Sequence, residues 1–147
     1  MVKTGGCLCG LVRYCAEGTP RSVHYCHCRI CRHATGGPFA VLVWFEKDNV
    51  QWSGQLPSVH RSSDIAQRGF CGTCGAPLFL HYLGGETIAL MAGSLDEPER
   101  FPPDHHYGVE SRLCWSDCGA GLPEEETQER VYMPAGWAPS RLQRDLP

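Results

Sequence analysis

Short β-type runs broken by Gly, Pro, Asn and Asp follow one another along most of this chain. The longest apolar run is Phe39-Ala40-Val41-Leu42-Val43-Trp44-Phe45, directly after the Gly36-Gly37-Pro38 break. Its length and continuity predict a strand buried on both faces, in the middle of the core. Residues 5–16 carry β-type residues around a first cysteine pair, and Gly18-Thr19-Pro20 marks a turn before a short strand over residues 22–25. Residues 50–52, 58–62 and 68–70 read as further short strands, with Asp48-Asn49 and Ser53-Gly54 as turns between them. Residues 77–83, a Gly84-Gly85 turn and residues 87–91 complete a pattern of antiparallel hairpins. From Ser94 the chain turns to Asp, Glu and Pro, and Glu124-Glu125-Glu126 precedes a Pro-rich end. The pattern predicts a mainly β domain over residues 1–118 and a peripheral C-terminal tail over 119–147.

Composition narrows the class. The 147 residues suit one domain, which buries roughly two thirds of its unfolded surface. The 17 Gly and 11 Pro agree with many turns and argue against long helices. A formal charge of -3 gives no general attraction for nucleic acid. The N-terminus has no apolar stretch of secretory length, and the run at 39–45 is far too short to span a bilayer. The expectation is a cytoplasmic protein with no membrane association, in a reducing compartment that keeps cysteines as thiols.

The cysteines then dominate the picture. Seven of the ten fall into three tight groups: Cys7 and Cys9, then Cys26, Cys28 and Cys31, then Cys71 and Cys74. Such clustering brings thiolates within reach of one metal ion, whereas a disulfide gains most by closing a long loop. On an extended strand Cys7 and Cys9 present both sulfurs on one side, with Leu8 turned away. Cys71-Gly72-Thr73-Cys74-Gly75 supplies a tight turn with two more sulfurs. Together these pairs predict a closed structural zinc site clamping the N-terminal strand to the middle of the chain. Cys26, Cys28 and Cys31 predict a second Zn²⁺, two per chain in all, with a fourth position that the motif does not fill.

On an extended backbone His27 points away from that metal, and His33 is near enough in sequence to be considered as a ligand. Three thiolates leave the centre negatively charged, which weakens water activation and favours a soft sulfur ligand such as a small-molecule thiol. Arg29 or Arg32 is a candidate partner for a substrate carboxylate, and His27 or His33 for proton movement. The other reading of the triplet is a second structural zinc completed by His33 or another cysteine, or a site that binds no metal when isolated. Cys15, Cys114 and Cys118 stand alone and read as small buried hydrophobes.

Four ordered motifs carry a resemblance. Gly5-Gly6-Cys7-Leu8-Cys9-Gly10 with Val12-Arg13-Tyr14, then Cys26-His27-Cys28-Arg29-Ile30-Cys31-Arg32, Gly36-Gly37-Pro38-Phe39 and Phe70-Cys71-Gly72-Thr73-Cys74-Gly75 resemble the glutathione-dependent formaldehyde-activating (GFA) family, which includes the centromere protein V group. Trp115 and Gly121-Leu122-Pro123 are similar to later elements of that family. The resemblance implies an Mss4-like fold of antiparallel sheets with zinc-binding knuckles. It also implies a structural zinc on Cys7, Cys9, Cys71 and Cys74 and a catalytic zinc on Cys26, Cys28 and Cys31. The implied activity is that of a carbon–sulfur lyase forming or cleaving a thiol adduct such as S-(hydroxymethyl)glutathione. The alternative is a non-catalytic, zinc-stabilised protein-binding module.

Overall fold

A computed structural model describes residues 2–117 and 121–123. Two compact units, Met1–Leu113 and Cys114–Pro147, divide the chain. The first contains ten strands: β1 (Lys3–Gly6), β2 (Val12–Ala16), β3 (Ser22–Cys26), β4 (Ala40–Glu46), β5 (Val50–Gly54), β6 (Ser58–Arg61), β7 (Ala66–Phe70), β8 (Pro77–Tyr82), β9 (Thr87–Met91) and β10 (His105–Tyr107). Its one α-helix, α1 (Arg29–Thr35), has seven residues. In the second unit residues 114–117 and 121–123 are described, and Trp115 and Leu122 are exposed there. The rest of the tail expected over 119–147, and Cys118 with it, lie outside the described residues.

The chain is mainly β, as its pattern predicts. A small antiparallel sheet has the order β1-β2-β5, and a seven-stranded sheet has the order β10-β3-β4-β9-β8-β7-β6. All neighbours in the large sheet are antiparallel except β10, which joins β3 in parallel. That departure was not expected, because His105-His106-Tyr107 sits in a polar, Pro-bearing stretch without a strand-like run. The apolar run at 39–45 becomes β4, an interior strand between β3 and β9.

Alternation along these strands separates two cores. Val43 and Phe45 of β4, Ile88 and Leu90 of β9, and Val12 and Tyr14 of β2 enter the main core, where the small sheet packs against the large one. Tyr14 is fully buried there and keeps its phenol satisfied through Ser94 Oγ at 2.8 Å. Ala40 and Leu42 of β4, Ala89 and Met91 of β9, and Leu80 of β8 turn to the opposite side, where they meet Cys26 and Cys31 in a second cluster. Strand β4 therefore serves both sides: one side holds the sheets together and the other floors a site.

Residues 5–16 form a hairpin and not one extended strand. Gly10 N donates to Cys7 O at 3.1 Å and Cys7 N to Val12 O at 3.0 Å, so Cys7-Leu8-Cys9-Gly10 is the turn between β1 and β2. Helix α1 had no counterpart in the sequence pattern. Cys28 caps its start, with Sγ accepting from Cys31 N at 3.3 Å, and Gly36 ends it in a left-handed conformation. Seven residues give too little periodicity to announce a helix.

Candidate metal centres

The turn between β1 and β2 meets the turn between β7 and β8. There the sulfurs of Cys7, Cys9, Cys71 and Cys74 all lie within 4.8 Å of one another. Cys7 Sγ is 3.5 Å from Cys9 Sγ, and Cys9 Sγ is 3.8 Å from Cys71 Sγ. A tetrahedral ion with metal–sulfur bonds of about 2.3 Å spaces its sulfurs about 3.8 Å apart, so these residues fit zinc. The second turn closes through Gly75 N to Cys71 O at 2.8 Å, with Gly75 at φ 76°, a conformation that favours glycine. Val12 N donates to Cys7 Sγ at 3.3 Å, the kind of bond that stabilises a thiolate. The tight turn, and not an extended strand, is what brings Cys7 and Cys9 to one side while Leu8 faces solvent.

Cys26 ends β3, Cys28 caps α1 and Cys31 lies in its first turn, and their sulfurs too lie within 4.8 Å of one another. Cys26 and Cys28 Sγ are 3.5 Å apart, again a spacing that suits one tetrahedral ion. No fourth ligand joins these three among the described residues. His27 is 1% exposed and bonds through Nε2 to His106 Nδ1 at 2.9 Å, its ring against Phe39, apart from the sulfurs. His33 is exposed on the wall of a neighbouring cavity of about 790 Å³ and does not reach the triplet. Arg29 lines that same cavity, and Arg32 lines neither it nor the chamber beside the triplet.

The three cysteines face a chamber of about 330 Å³, whereas the four-cysteine group lines neither main cavity. Arg68 of β7, a residue the sequence pattern did not single out, lines the chamber beside Cys31. Its Nη2 donates to Cys31 Sγ at 3.4 Å, while Nε and Nη1 are buried without a hydrogen-bond partner. A buried guanidinium needs a counter-charge, and the thiolates supply one. The hydrogen bond from Cys26 does most to lower the Cys31 thiol, and with Arg68 it outweighs burial and brings Cys31 down to about 5. Giving that hydrogen bond to Cys31, together with burial, drives Cys26 the other way. Arg68 thus favours the thiolate form of Cys31.

Gly108 is a second residue the pattern missed. It follows β10 at φ 69°, and a Cβ there would lie 2.8 Å from Cys28 N and 3.0 Å from Cys28 Cβ. His27 N donates to Tyr107 O at 2.8 Å, so β10 and Gly108 press the backbone of the triplet into place. All nine described cysteines are free thiols. Of the isolated ones, Cys15 is half-buried and belongs to neither group, and Cys114 is exposed, contrary to the buried role expected.

Among curated proteins, an uncharacterized lyase of Schizosaccharomyces pombe is 30% identical over 82 residues, which are 56% of this chain and 59% of the yeast protein. The chain thus matches less than two thirds of that relative's length. A solved structure of a Rhodobacter sphaeroides protein superposes with a TM-score of 0.57 at 19% identity, covering 70% of this chain and 98% of the other. That likeness concerns the fold alone. The family description "glutathione-dependent formaldehyde-activating enzyme" matches residues 2–111, a span that holds both cysteine groups, Arg68 and Gly108. The chain belongs to the glutathione-dependent formaldehyde-activating enzyme family.

Proposed function

We propose that this protein is a zinc-dependent carbon–sulfur lyase of the GFA type, forming or cleaving a thiol adduct such as S-(hydroxymethyl)glutathione in the cytoplasm. The observation that carries the reading is the contrast between the two cysteine groups: the triplet opens onto a chamber and the quartet does not. Cys7, Cys9, Cys71 and Cys74 would hold a structural zinc, and Cys26, Cys28 and Cys31 a catalytic one. A zinc ion on the triplet supplies a Lewis acid that binds sulfur or polarises a carbonyl.

The chain's own groups prepare that site. Three thiolates around a divalent ion leave about one excess negative charge, and Arg68 beside Cys31 offsets it. This positioning restores electrophilic character that a bare three-thiolate centre lacks. The apolar floor of Leu42 and Leu80 limits water around the reacting atoms. Conversion of glutathione and formaldehyde by the zinc-loaded protein, followed by NMR exchange between free and adduct signals, tests the assignment. Exchange faster than in a protein-free control is expected. No acceleration would remove this substrate pair.

A further inference from the structure

The chamber is built for more than a single carbon. Side chains two apart along each strand point the same way, so β3, β4, β8 and β7 bring His24, Trp44, Tyr82 and Arg68 to its walls. Trp44 stacks on Tyr82 with centroids 5.8 Å apart and planes 7° apart, and on His24 at 6.4 Å and 19°. Tyr107 continues this row beside His24 at 5.8 Å. Exposed Ile30 and Ile65, 52% and 66% accessible, carry apolar surface out to the rim. No Asp or Glu lines the chamber among the described residues.

A volume of about 330 Å³ holds about ten water-sized groups. Formaldehyde has two heavy atoms and no surface with which to meet an aromatic wall. An aromatic row can also hold an organic cation, but among the described residues no Asp or Glu on the chamber wall is there to pair with one, and the charge of the thiolates is already met by Arg68. A zwitterionic peptide thiol brings an ammonium as well as carboxylates: Arg68 can meet one carboxylate, but no Asp or Glu on the wall meets the ammonium among the described residues, so burying it there costs free energy. What remains is a neutral, planar, apolar group. The larger cavity shares Ile30, Ser62 and Arg68 with the chamber, so a polar thiol there and an apolar partner in the chamber would meet beside the triplet.

Resting on the lyase reading above, we infer that the carbonyl partner of this enzyme is an aldehyde with an aryl or similarly flat apolar body, bound against Trp44 and Tyr82. In the forward reaction the thiol sulfur bonds to the carbonyl carbon. The carbonyl π pair moves to oxygen, and the thiol proton ends on that oxygen, so the step is balanced without an oxidant or reductant. Cleavage is the reverse.

The test has two arms on zinc-loaded full-length protein. In the first, calorimetry measures benzyl alcohol, an unreactive aryl probe, against methanol. Benzyl alcohol is expected to bind at least about tenfold more tightly than methanol, and Trp44→Ala to lose most of that difference. Tyr82 is partly exposed, so Tyr82→Ala repeats the comparison should the tryptophan variant fail to fold. Equal binding of both alcohols would overturn the inference. In the second arm, exchange NMR compares benzaldehyde with formaldehyde, each with glutathione. A kcat/KM at least about tenfold higher for benzaldehyde is the expected result. Turnover of formaldehyde with no preference for the aryl aldehyde would leave the lyase reading standing and sink this inference. Ring-dependent binding of benzyl alcohol with neither aldehyde turned over would uphold the aryl chamber and sink the lyase reading.

Discussion

Two residues outside the cysteine motifs govern the triplet from opposite sides. Among the described residues Arg68 offers the only formal positive charge on the chamber wall, and its Nη2 sits 3.4 Å from Cys31 Sγ. Arg68→Met is expected to lower kcat/KM by roughly 10- to 100-fold, the usual cost of losing a group that supports metal ligands. Arg68→Lys should recover part of the loss through its charge, although it cannot reproduce the fork of donors. Cobalt substitution supplies an independent readout, since a changed charge beside Cys31 moves the sulfur-to-cobalt absorption. An unshifted spectrum with full activity in Arg68→Met would remove Arg68 from the site. Gly108 acts through space alone. Any Cβ there would collide with Cys28 backbone and also strain a left-handed residue. Gly108→Ala should therefore weaken cobalt binding at the triplet by roughly 10- to 100-fold. Cobalt binding at the quartet should stay as it was, which titrating both absorption bands would check.

At the scale of elements, the pleat decides what each strand contributes. In the large sheet the register sets Trp44 beside Ala89, Ala89 beside Leu80 and Leu80 beside Arg68, so one row of partners crosses four strands on the chamber side. The small sheet is tied by a different device. Arg13 of β2 forms a two-pronged ion pair with Asp96, one prong from Nη1 to Oδ1 at 3.0 Å, and Thr4 Oγ1 of β1 donates to the same carboxylate at 2.6 Å. Chiefly the bond from Arg13, against a smaller effect of burial, holds Asp96 below its ordinary value of 3.8. A depressed carboxylate adds stability above its unfolded pKa and loses it as pH falls through the lower folded value. The two side chains are 41% and 38% exposed, so screening limits the gain to about 0.5 kcal/mol. Asp96→Asn should thus lower the urea midpoint slightly at pH 7, and the gap between the two proteins should close as the pH falls through the lowered folded value of Asp96. A gap that widens in acid would contradict this account. Strand positions were readable in the sequence because turn residues bracket each run and β4 is apolar throughout. Cysteine grouping was readable because zinc-binding spacings are local. Arg68 and Gly108 were not, since each acts on a cysteine brought near only by folding, Arg68 on one 37 positions away. Helix α1 and β10 were hidden for a related reason: seven and three residues acquire their form from packing and not from their own periodicity.

For the molecule as a whole, the two cysteine groups should differ in what their loss destroys. A three-stranded sheet with strands of four or five residues is a marginal structure by itself. It is held to the large sheet by the shared core around Tyr14, Val43 and Phe45, and at one edge by the quartet, which joins the β1–β2 turn to the β7–β8 turn. Structural zinc sites contribute about 10 kcal/mol or more in small peptides, comparable to the entire stability of a domain. Removing one ligand such as Cys71, which is wholly buried, should therefore unfold the protein or lower its melting temperature by tens of degrees. The triplet lies on the outer side of the large sheet and joins only the end of β3 to the start of α1. Its span of six residues closes no distant part of the chain, so Cys28→Ser should keep native far-UV circular dichroism and melt within a few degrees of the parent. It should also lose one of two zinc ions and all lyase activity. Metal content, melting temperature and turnover measured on both variants decide the matter: a Cys28→Ser protein that unfolds, or a Cys71→Ser protein that melts normally, would show that the division between clamp and reaction centre is wrong.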